Sequence, residues 1–160
     1  MPTEETEFDE AGVRWTLRPF DALSPHQLYA ILALRQRVFV VEQACAFLDA
    51  DGRDPASLHL FATDHAGACV ACLRVVPPGA KFAEPSLGRI VTAPEVRGTG
   101  LGRELVRRGI EAAIEAHGRV PLALSAQRHL ERFYAQLGFF LRGEPYDEDG
   151  IAHLDMVRPA

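Results

Sequence analysis

The sequence is poor in three features that would each define a class of protein. Its 160 residues contain only three cysteines, too few and odd in number for a secreted disulfide scaffold. No apolar run approaches the roughly 20 residues that a membrane-spanning helix needs. Acidic residues outnumber basic ones by 22 to 17, which gives a net charge of −5, whereas nucleic-acid-binding domains normally carry a basic surplus. These shortages predict a globular domain with neither a membrane nor a nucleic-acid partner.

Two cysteines and three aspartates form short motifs that resemble metal or redox sites. Cys69 and Cys72 lie in a strand-like run over residues 68–76. Positions i and i+3 of a regular strand point to opposite faces, so we predict buried cysteines that share neither a disulfide nor a metal. The segment 49–55 contains Asp-x-Asp-Gly but lacks the spacing of a calcium loop. We therefore predict a solvated turn there, and no metal site.

The N-terminal segment has no apolar core of a secretory signal and is rich in acidic residues. We predict that residues 1–12 form a disordered tail and that residues 13–160 form a single domain. Without a signal or a disulfide framework, the expected location is the reducing cytoplasm.

Hydrophobic periodicity predicts the element order β-α-β-β-β-α-β-α-β-β. Consecutive hairpin strands followed by late strand–helix–strand units indicate an α/β class with a mixed sheet and helices on both faces. The predicted strands are 15–20, 58–63, 69–76, 87–92, 122–125, 139–141 and 151–157. The predicted helices begin at residues 25, 101 and 127, and an acidic turn over residues 144–150 joins the last two strands.

The most informative segment is Arg97-Gly98-Thr99-Gly100-Leu101-Gly102-Arg103, between a predicted strand and a predicted helix. Closely spaced glycines allow a tight turn and a close approach of the backbone to a ligand. The helix N-terminus that follows offers unpaired N–H groups and a positive dipole end, which favour a phosphate. The spacing differs from a dinucleotide loop, and the Lys-Ser/Thr ending of a nucleoside-triphosphate loop is missing.

The pattern Arg97-x-x-Gly100-x-Gly102 resembles the Arg/Gln-x-x-Gly-x-Gly/Ala motif of the GCN5-related N-acetyltransferases (GNAT). The segment Phe133-Tyr134-Ala135-Gln136-Leu137-Gly138-Phe139 is similar to the second signature of that superfamily. The ElaA-like branch is indicated by four further pieces, in a resemblance that covers roughly residues 15–158: Leu34-Arg35-x-x-Val38-Phe39-Val40-Val41-Glu42-Gln43, Asp49-x-Asp51-Gly52-x-Asp54, Ser125-Ala126-Gln127, and Tyr146-x-Glu148-Asp149-Gly150-Ile151-x-His153.

The resemblance implies the acyl-CoA N-acyltransferase fold, with a mixed, mostly antiparallel sheet, and an N-acetyltransferase that uses acetyl-CoA and no metal. It implies that the loop binds the pyrophosphate and that the preceding strand pairs with the pantetheine arm. The implied cofactor-binding residues are Ile90, Val91, Thr92, Arg97, Gly98, Thr99, Gly100, Leu101, Gly102 and Arg103. Tyr134 is the implied general acid for the leaving thiolate, since a phenol donates a hydrogen bond at pH 7 without ionising.

The general base is less defined by the sequence. Glu42, directly after an apolar run, is the first candidate and His153 the second. Asp49, Asp51, Glu148 and Asp149 could line an acidic mouth for a cationic amine. Many family members carry an asparagine in the second signature, and here Gln127 is the available substitute.

The predicted acceptor is a primary amine of a small molecule or peptide. A non-catalytic domain that senses acyl-CoA is the alternative reading. A synthase of the acyl-homoserine-lactone type would need a basic docking surface, which this acidic sequence does not show. The sequence is also compatible with a homodimer.

Overall fold

Eight strands and three α-helices make up the computed structural model, which describes residues 4–160. The strands are β1 (Glu4–Glu5), β2 (Arg14–Pro19), β3 (Leu58–Thr63), β4 (Cys69–Val76), β5 (Ser86–Thr92), β6 (Leu122–Gln127), β7 (Phe140–Glu148) and β8 (Ile151–Arg158). They form one sheet in the order β1-β2-β3-β4-β5-β6-β8-β7. Only the β5–β6 pair is parallel among the described strands. This confirms the mixed, mostly antiparallel sheet.

The helices begin where the sequence supplies caps. Helix α1 (Pro25–Arg35) starts with a capping box, in which Ser24 and Gln27 bond each other's backbone N–H groups. It continues into a π-helix over Gln36–Glu42, where β-branched residues crowd the turns. Helix α2 (Leu101–His117) has the predicted bounds. Helix α3 covers only Glu131–Ala135. No helix within residues 4–160 combines the length and apolarity that a membrane span requires.

The core lies on both sides of β4, whose eight residues are all buried. Helices α1 and α2 both pack on this strand. A side chain at Gly109 of α2 would bring its Cβ within 2.7 Å of Leu73 Cδ2, so the glycine permits a close approach of helix and sheet. This packing holds the start of α2, and with it the glycine-rich segment, against the centre of the sheet.

Three chain segments differ from the sequence-based prediction. The helix predicted to begin at residue 127 begins at Glu131, because β6 extends to Gln127 and a 3-10 turn follows it. Part of the predicted tail is structured, since β1 pairs with β2 through Glu4–Leu17 and Glu5–Thr16 and the turn near residue 9 is held by hydrogen bonds of Asp9. Residues 1–3 lie outside the described part. The acidic segment 144–150 is mostly strand, because β7 continues to Glu148 and only Asp149 and Gly150 form the turn.

The prediction that Cys69 and Cys72 face opposite sides is wrong. Cys72 pairs with Phe61 and Cys69 with Thr63. The pairing of β3 with β4 shifts between Ala62 and Thr63 at a β-bulge, which leaves Val70 without a partner residue in β3. The extra residue shifts the alternation of side chains between the two faces of β4 by one position. Phe61 and Thr63 are two residues apart, so the cysteines opposite them share one face. Both are buried free thiols, and the hydrogen bond with Cys69 raises the pKa of Cys72.

Candidate active site

The parallel pair of strands at the centre of the sheet separates after a short contact. Strands β5 and β6 pair through Ser86–Ala123 and Leu87–Leu124. Strand β6 pairs with β8 along its other edge from Leu122 to Gln127, but beyond Leu87 no residue of β5 pairs with it within residues 4–160. The backbone groups of residues 90–92 that face β6 are therefore available to an extended ligand, as those of an edge strand would be.

A bulge in β5 accounts for the separation. Cys72 pairs with Val91 and Arg74 with Gly88, so one residue of β4 lies opposite two of β5. One of these two, Arg89, has a φ of 49°, which is uncommon for a residue with a side chain. A bulge bends its strand and redirects the side chains. Strand β5 thus turns away from β6 where the split opens.

A cavity of about 530 Å³ follows the split, a size typical of small-molecule sites. Strand β5 lines it from Ser86 to Thr92, and the π-helix, β6 and the β7–β8 turn supply the remaining walls. It brings together six of the twelve predicted site residues: Ile90, Val91, Thr92, Arg97, Glu42 and Tyr134. Residues 98–103 follow Arg97 directly and are not part of the cavity lining.

The glycine-rich segment presents a run of unpaired backbone donors. Gly98 and Gly100 have φ values of 77° and 86°, which glycine adopts without strain. Within residues 4–160, the N–H groups of residues 98–103 make no hydrogen bond. They lie at the N-terminus of a 17-residue helix, where unpaired N–H groups and the helix dipole favour an anion. The side chain of Arg103 is bound to Gln136 by a 2.6 Å hydrogen bond.

Tyr134 of α3 lies in the wall of the cavity and is 4% exposed. Its ring is fixed by edge contacts with Phe133 and Phe139, at centroid distances of 5.0 and 6.1 Å. Burial raises the pKa of Tyr134, so the phenol stays protonated at neutral pH. Its hydroxyl makes no hydrogen bond to any residue in the described chain. The group is suited to donate a hydrogen bond to a ligand.

The structure brings Glu42 to the cavity but binds its carboxylate to Arg97. Nη1 of Arg97 lies 2.5 Å from Oε1, and Nη2 lies 3.0 Å from Oε2. This bidentate hydrogen bonding with Arg97 lowers the pKa of Glu42. The pair thus links the π-helix to the start of the glycine-rich segment, and it makes Glu42 a weaker proton acceptor than a free glutamate.

His153 of β8 lines the same cavity. Its Nδ1 lies 2.8 Å from the carbonyl oxygen of Ile151. A carbonyl only accepts hydrogen bonds, so Nδ1 carries the proton and Nε2 of the neutral ring keeps a lone pair. Nε2 lies 3.6 Å from a carboxylate oxygen of Glu148. The contacts therefore suit His153 to the role of a base.

The aspartates of the 49–54 loop belong to a buried network of ion pairs. The predictions of a solvated turn, and of Asp49 and Asp51 in an acidic mouth, are therefore wrong. Asp49 and Asp54 are each 7% exposed. These two aspartates and Asp51 pair with Arg35, Arg74 and Arg89 at 2.6–3.4 Å, and Asp51 also pairs with the more exposed Arg53 at 3.2 Å. Of the four predicted mouth residues, Glu148 and Asp149 line the cavity.

This network was missed although a signal for it exists in α1. Ile31, Arg35 and Val38 follow helical spacing and are all buried, which places the arginine on the apolar stripe of the helix. A buried guanidinium requires carboxylate partners. The network joins α1 to Arg89 at the bulge. The contacts of Arg89 with Asp49 and Asp51 help to hold this residue in its left-handed conformation.

Comparison with known proteins identifies the class to which this site belongs. A model of the acetyltransferase (GNAT) domain matches residues 48–159, and the chain belongs to this family of acyltransferases. An acyl-CoA N-acyltransferase from Pseudomonas aeruginosa has 38% sequence identity and a TM-score of 0.87, over 91% of this chain and 99% of that one. The predicted fold is thereby confirmed.

Within the family the chain is a relative of ElaA. The Escherichia coli protein is 34% identical over 91% of this chain and 96% of its own length. Its crystal structure aligns with a TM-score of 0.85 over 91% of this chain and 99% of that one. A UPF0039 protein of Synechocystis is 42% identical over 91% of this chain and 94% of its own length. The predicted branch is also confirmed.

Proposed function

We propose that the protein transfers an acetyl group from acetyl-CoA to a primary amine of a small molecule or peptide by direct transfer. The observation that carries this proposal is the open split beside the six unpaired N–H groups of residues 98–103. The N–H groups and Arg97 would hold the pyrophosphate. The free backbone edge at Ile90–Thr92 would hold the amide groups of the pantetheine arm, which places the thioester toward the bulge at Arg89.

The proposed reaction needs one proton donor and one proton acceptor. The neutral amine attacks the thioester carbonyl carbon, so that a C–N bond forms and the C–S bond breaks. Tyr134 donates a proton to the departing thiolate. The amine loses its proton to a base, for which Glu42 and His153 are the candidates. The contacts favour His153, because Arg97 occupies the carboxylate of Glu42 and Nε2 of His153 keeps its lone pair.

The buried free cysteines support the reducing cytoplasm as the proposed location.

Binding of acetyl-CoA is tested by a matched pair of glycine variants. In Gly100→Asp the carboxylate would accept hydrogen bonds from the first N–H groups of α2 and repel the pyrophosphate. Calorimetric titration should show that the affinity for acetyl-CoA falls by about tenfold or more. Gly67→Asp adds the same charge at a φ of 81° in open space, far along the chain in the β3–β4 turn. It should bind like the wild type.

Wild-type protein that fails to bind millimolar acetyl-CoA would refute the proposed function. Binding without thiol release across a broad set of amines would support the acyl-CoA sensor instead.

The base is tested by comparing His153→Gln with Glu42→Gln. We expect His153→Gln to lower kcat by about 10²-fold, because the glutamine side chain cannot take up the amine proton. Glu42→Gln should mainly raise the KM for acetyl-CoA, because it frees Arg97 from its fixed position. The opposite pattern, with kcat lost only in Glu42→Gln, would return the role of base to Glu42.

A further inference from the structure

Lys81 is the only lysine among the 17 lysine and arginine residues of the chain. It lies in the turn between β4 and β5. The N–H of Gly79 donates a 2.7 Å hydrogen bond to the carbonyl of Phe82, and Arg53 Nε donates one of 3.4 Å to the carbonyl of Ala80. Lys81 lines the cavity that also contains Tyr134, and its Nζ lies 5.6 Å from the centroid of the Phe82 ring. The chain thus places its one side-chain primary amine at the candidate active site.

Lys81 and the glycine-rich segment lie near opposite ends of β5. The glycine-rich segment follows the end of β5, so a bound coenzyme would run from there along Thr92, Val91 and Ile90 toward the bulge. Lys81 approaches from the opposite direction, since its turn leads into the start of β5 at Ser86. The charged groups that act on its ammonium are Glu148, Arg89, Arg53 and Arg74. Arg89, the bulge residue, lines the same cavity, so the turn that carries Lys81 lies toward the acyl end.

Burial increases the neutral fraction of Lys81, whereas its contact with the Phe82 ring favours the ammonium. The residue is exposed at the cavity rim, yet partial burial of the ammonium lowers the pKa of Lys81. Glu148 opposes this shift, whereas Arg89, Arg53 and Arg74 add to it. No carboxylate within residues 4–160 forms an ion pair with Lys81 at 4 Å or less. A neutral amine is the nucleophilic form, and its fraction at a given pH rises as the pKa falls.

We propose that Lys81 is a self-acetylation site, at which the protein modifies its own cavity in the absence of a better acceptor amine. The inference rests on the proposed function for its donor, acetyl-CoA. Nζ of the neutral lysine attacks the thioester carbonyl carbon, an N–C bond forms and the C–S bond breaks. The thiolate takes up one proton as the amide nitrogen loses one, and the products are Nε-acetyl-Lys81 and free coenzyme A. The acceptor end of the cavity thereby loses the one amine that can carry a positive charge there.

The test is the rate of acetyl incorporation into the full chain, followed by intact-mass measurement and peptide mapping after incubation with acetyl-CoA. We expect one acetyl group on Lys81, with a first-order rate constant that does not depend on protein concentration. Gly100→Asp should slow it about tenfold or more, because intramolecular transfer requires a positioned donor. Lys81→Arg keeps the charge and removes the reactive amine; it should gain no acetyl group at residue 81 and should bind acetyl-CoA like the wild type.

The outcomes separate this inference from the proposed function. Wild-type protein that binds acetyl-CoA and acetylates an external amine, with Lys81 unmodified, overturns the inference alone. Equal rates in the wild type and Gly100→Asp would show ordinary chemical acetylation and also overturn it. A rate constant that rises with protein concentration would show transfer between copies and exclude the intramolecular step. A wild type that does not bind acetyl-CoA overturns both proposals.

Discussion

Replacement of Tyr134 by phenylalanine should lower kcat for acetyl transfer by about 10²–10⁴-fold, the usual contribution of a positioned proton donor. The change removes only the hydroxyl oxygen, which makes no hydrogen bond to another residue in the described part of the chain. The ring contacts with Phe133 and Phe139 remain in the variant. We therefore expect the free energy of unfolding to change by no more than about 0.5 kcal/mol. The loss should appear in kcat measured by thiol release, with the affinity for acetyl-CoA retained.

The matched control is Tyr29→Phe, which makes the same chemical change on α1 at a residue that is 78% exposed. Its kcat should equal that of the wild type. Because burial raises the pKa of Tyr134, the phenol should remain protonated through the range in which the enzyme is assayed. A fall in activity as the pH rises just above neutrality would therefore not be caused by ionisation of Tyr134. Full kcat in Tyr134→Phe would assign the proton-donor role to another group.

Much of the fold could be predicted because its signals are local. Helix α2 has both an apolar stripe and glycines at each end, and its predicted bounds match the structure. Strands β3 and β4 also match, since runs of β-branched and apolar residues are bounded by turn residues. The glycine-rich segment was located for the same reason, because its spacing is read over seven consecutive residues.

The features that could not be predicted depend on contacts between distant parts of the chain. The alternation rule gave the wrong faces for Cys69 and Cys72, because the bulge that shifts them is defined by pairing with β3. The polarity of the 49–54 loop suggested solvent exposure, whereas its carboxylates face arginines from α1, β4 and β5. Polarity alone does not distinguish a solvated charge from a paired buried one. The pairing of Glu42 with Arg97 joins positions 55 residues apart and is likewise absent from any local pattern.

The buried network carries the largest expected effect on stability, and Arg35→Met is the variant that shows it. Arg35 is 1% exposed, and its guanidinium contacts Asp49 and Asp54 at 2.8 Å each. Burial alone would lower the pKa of Arg35, but the two aspartates raise it, so the residue is cationic in the folded protein. Methionine would leave the surrounding carboxylates with one positive charge too few. Breaking a buried pair in this way costs about 3–5 kcal/mol, to be measured by urea unfolding.

The control lies two residues further along the chain. Arg37 pairs with Glu95 on the surface, and the two side chains are 51% and 60% exposed. Arg37→Met should cost no more than about 1 kcal/mol, as exposed ion pairs contribute little. A second test is Arg35→Met combined with Asp49→Asn, which restores the charge balance and should recover part of the loss. Similar losses in Arg35→Met and Arg37→Met would contradict the assignment of a stabilising role to the network.

The effect of the network should also reach the active site, because Arg89 belongs to both. Its Nε lies 2.8 Å from Asp49, and its backbone forms the bulge at which β5 and β6 separate. Loss of Arg35 leaves Asp49 without its partner from α1, so Asp49 and Arg89 are free to shift together. In Arg35→Met assayed well below its unfolding midpoint, we expect a raised KM for acetyl-CoA in addition to the lower stability. Unchanged kinetics in the folded variant would show that the bulge is held by the sheet alone.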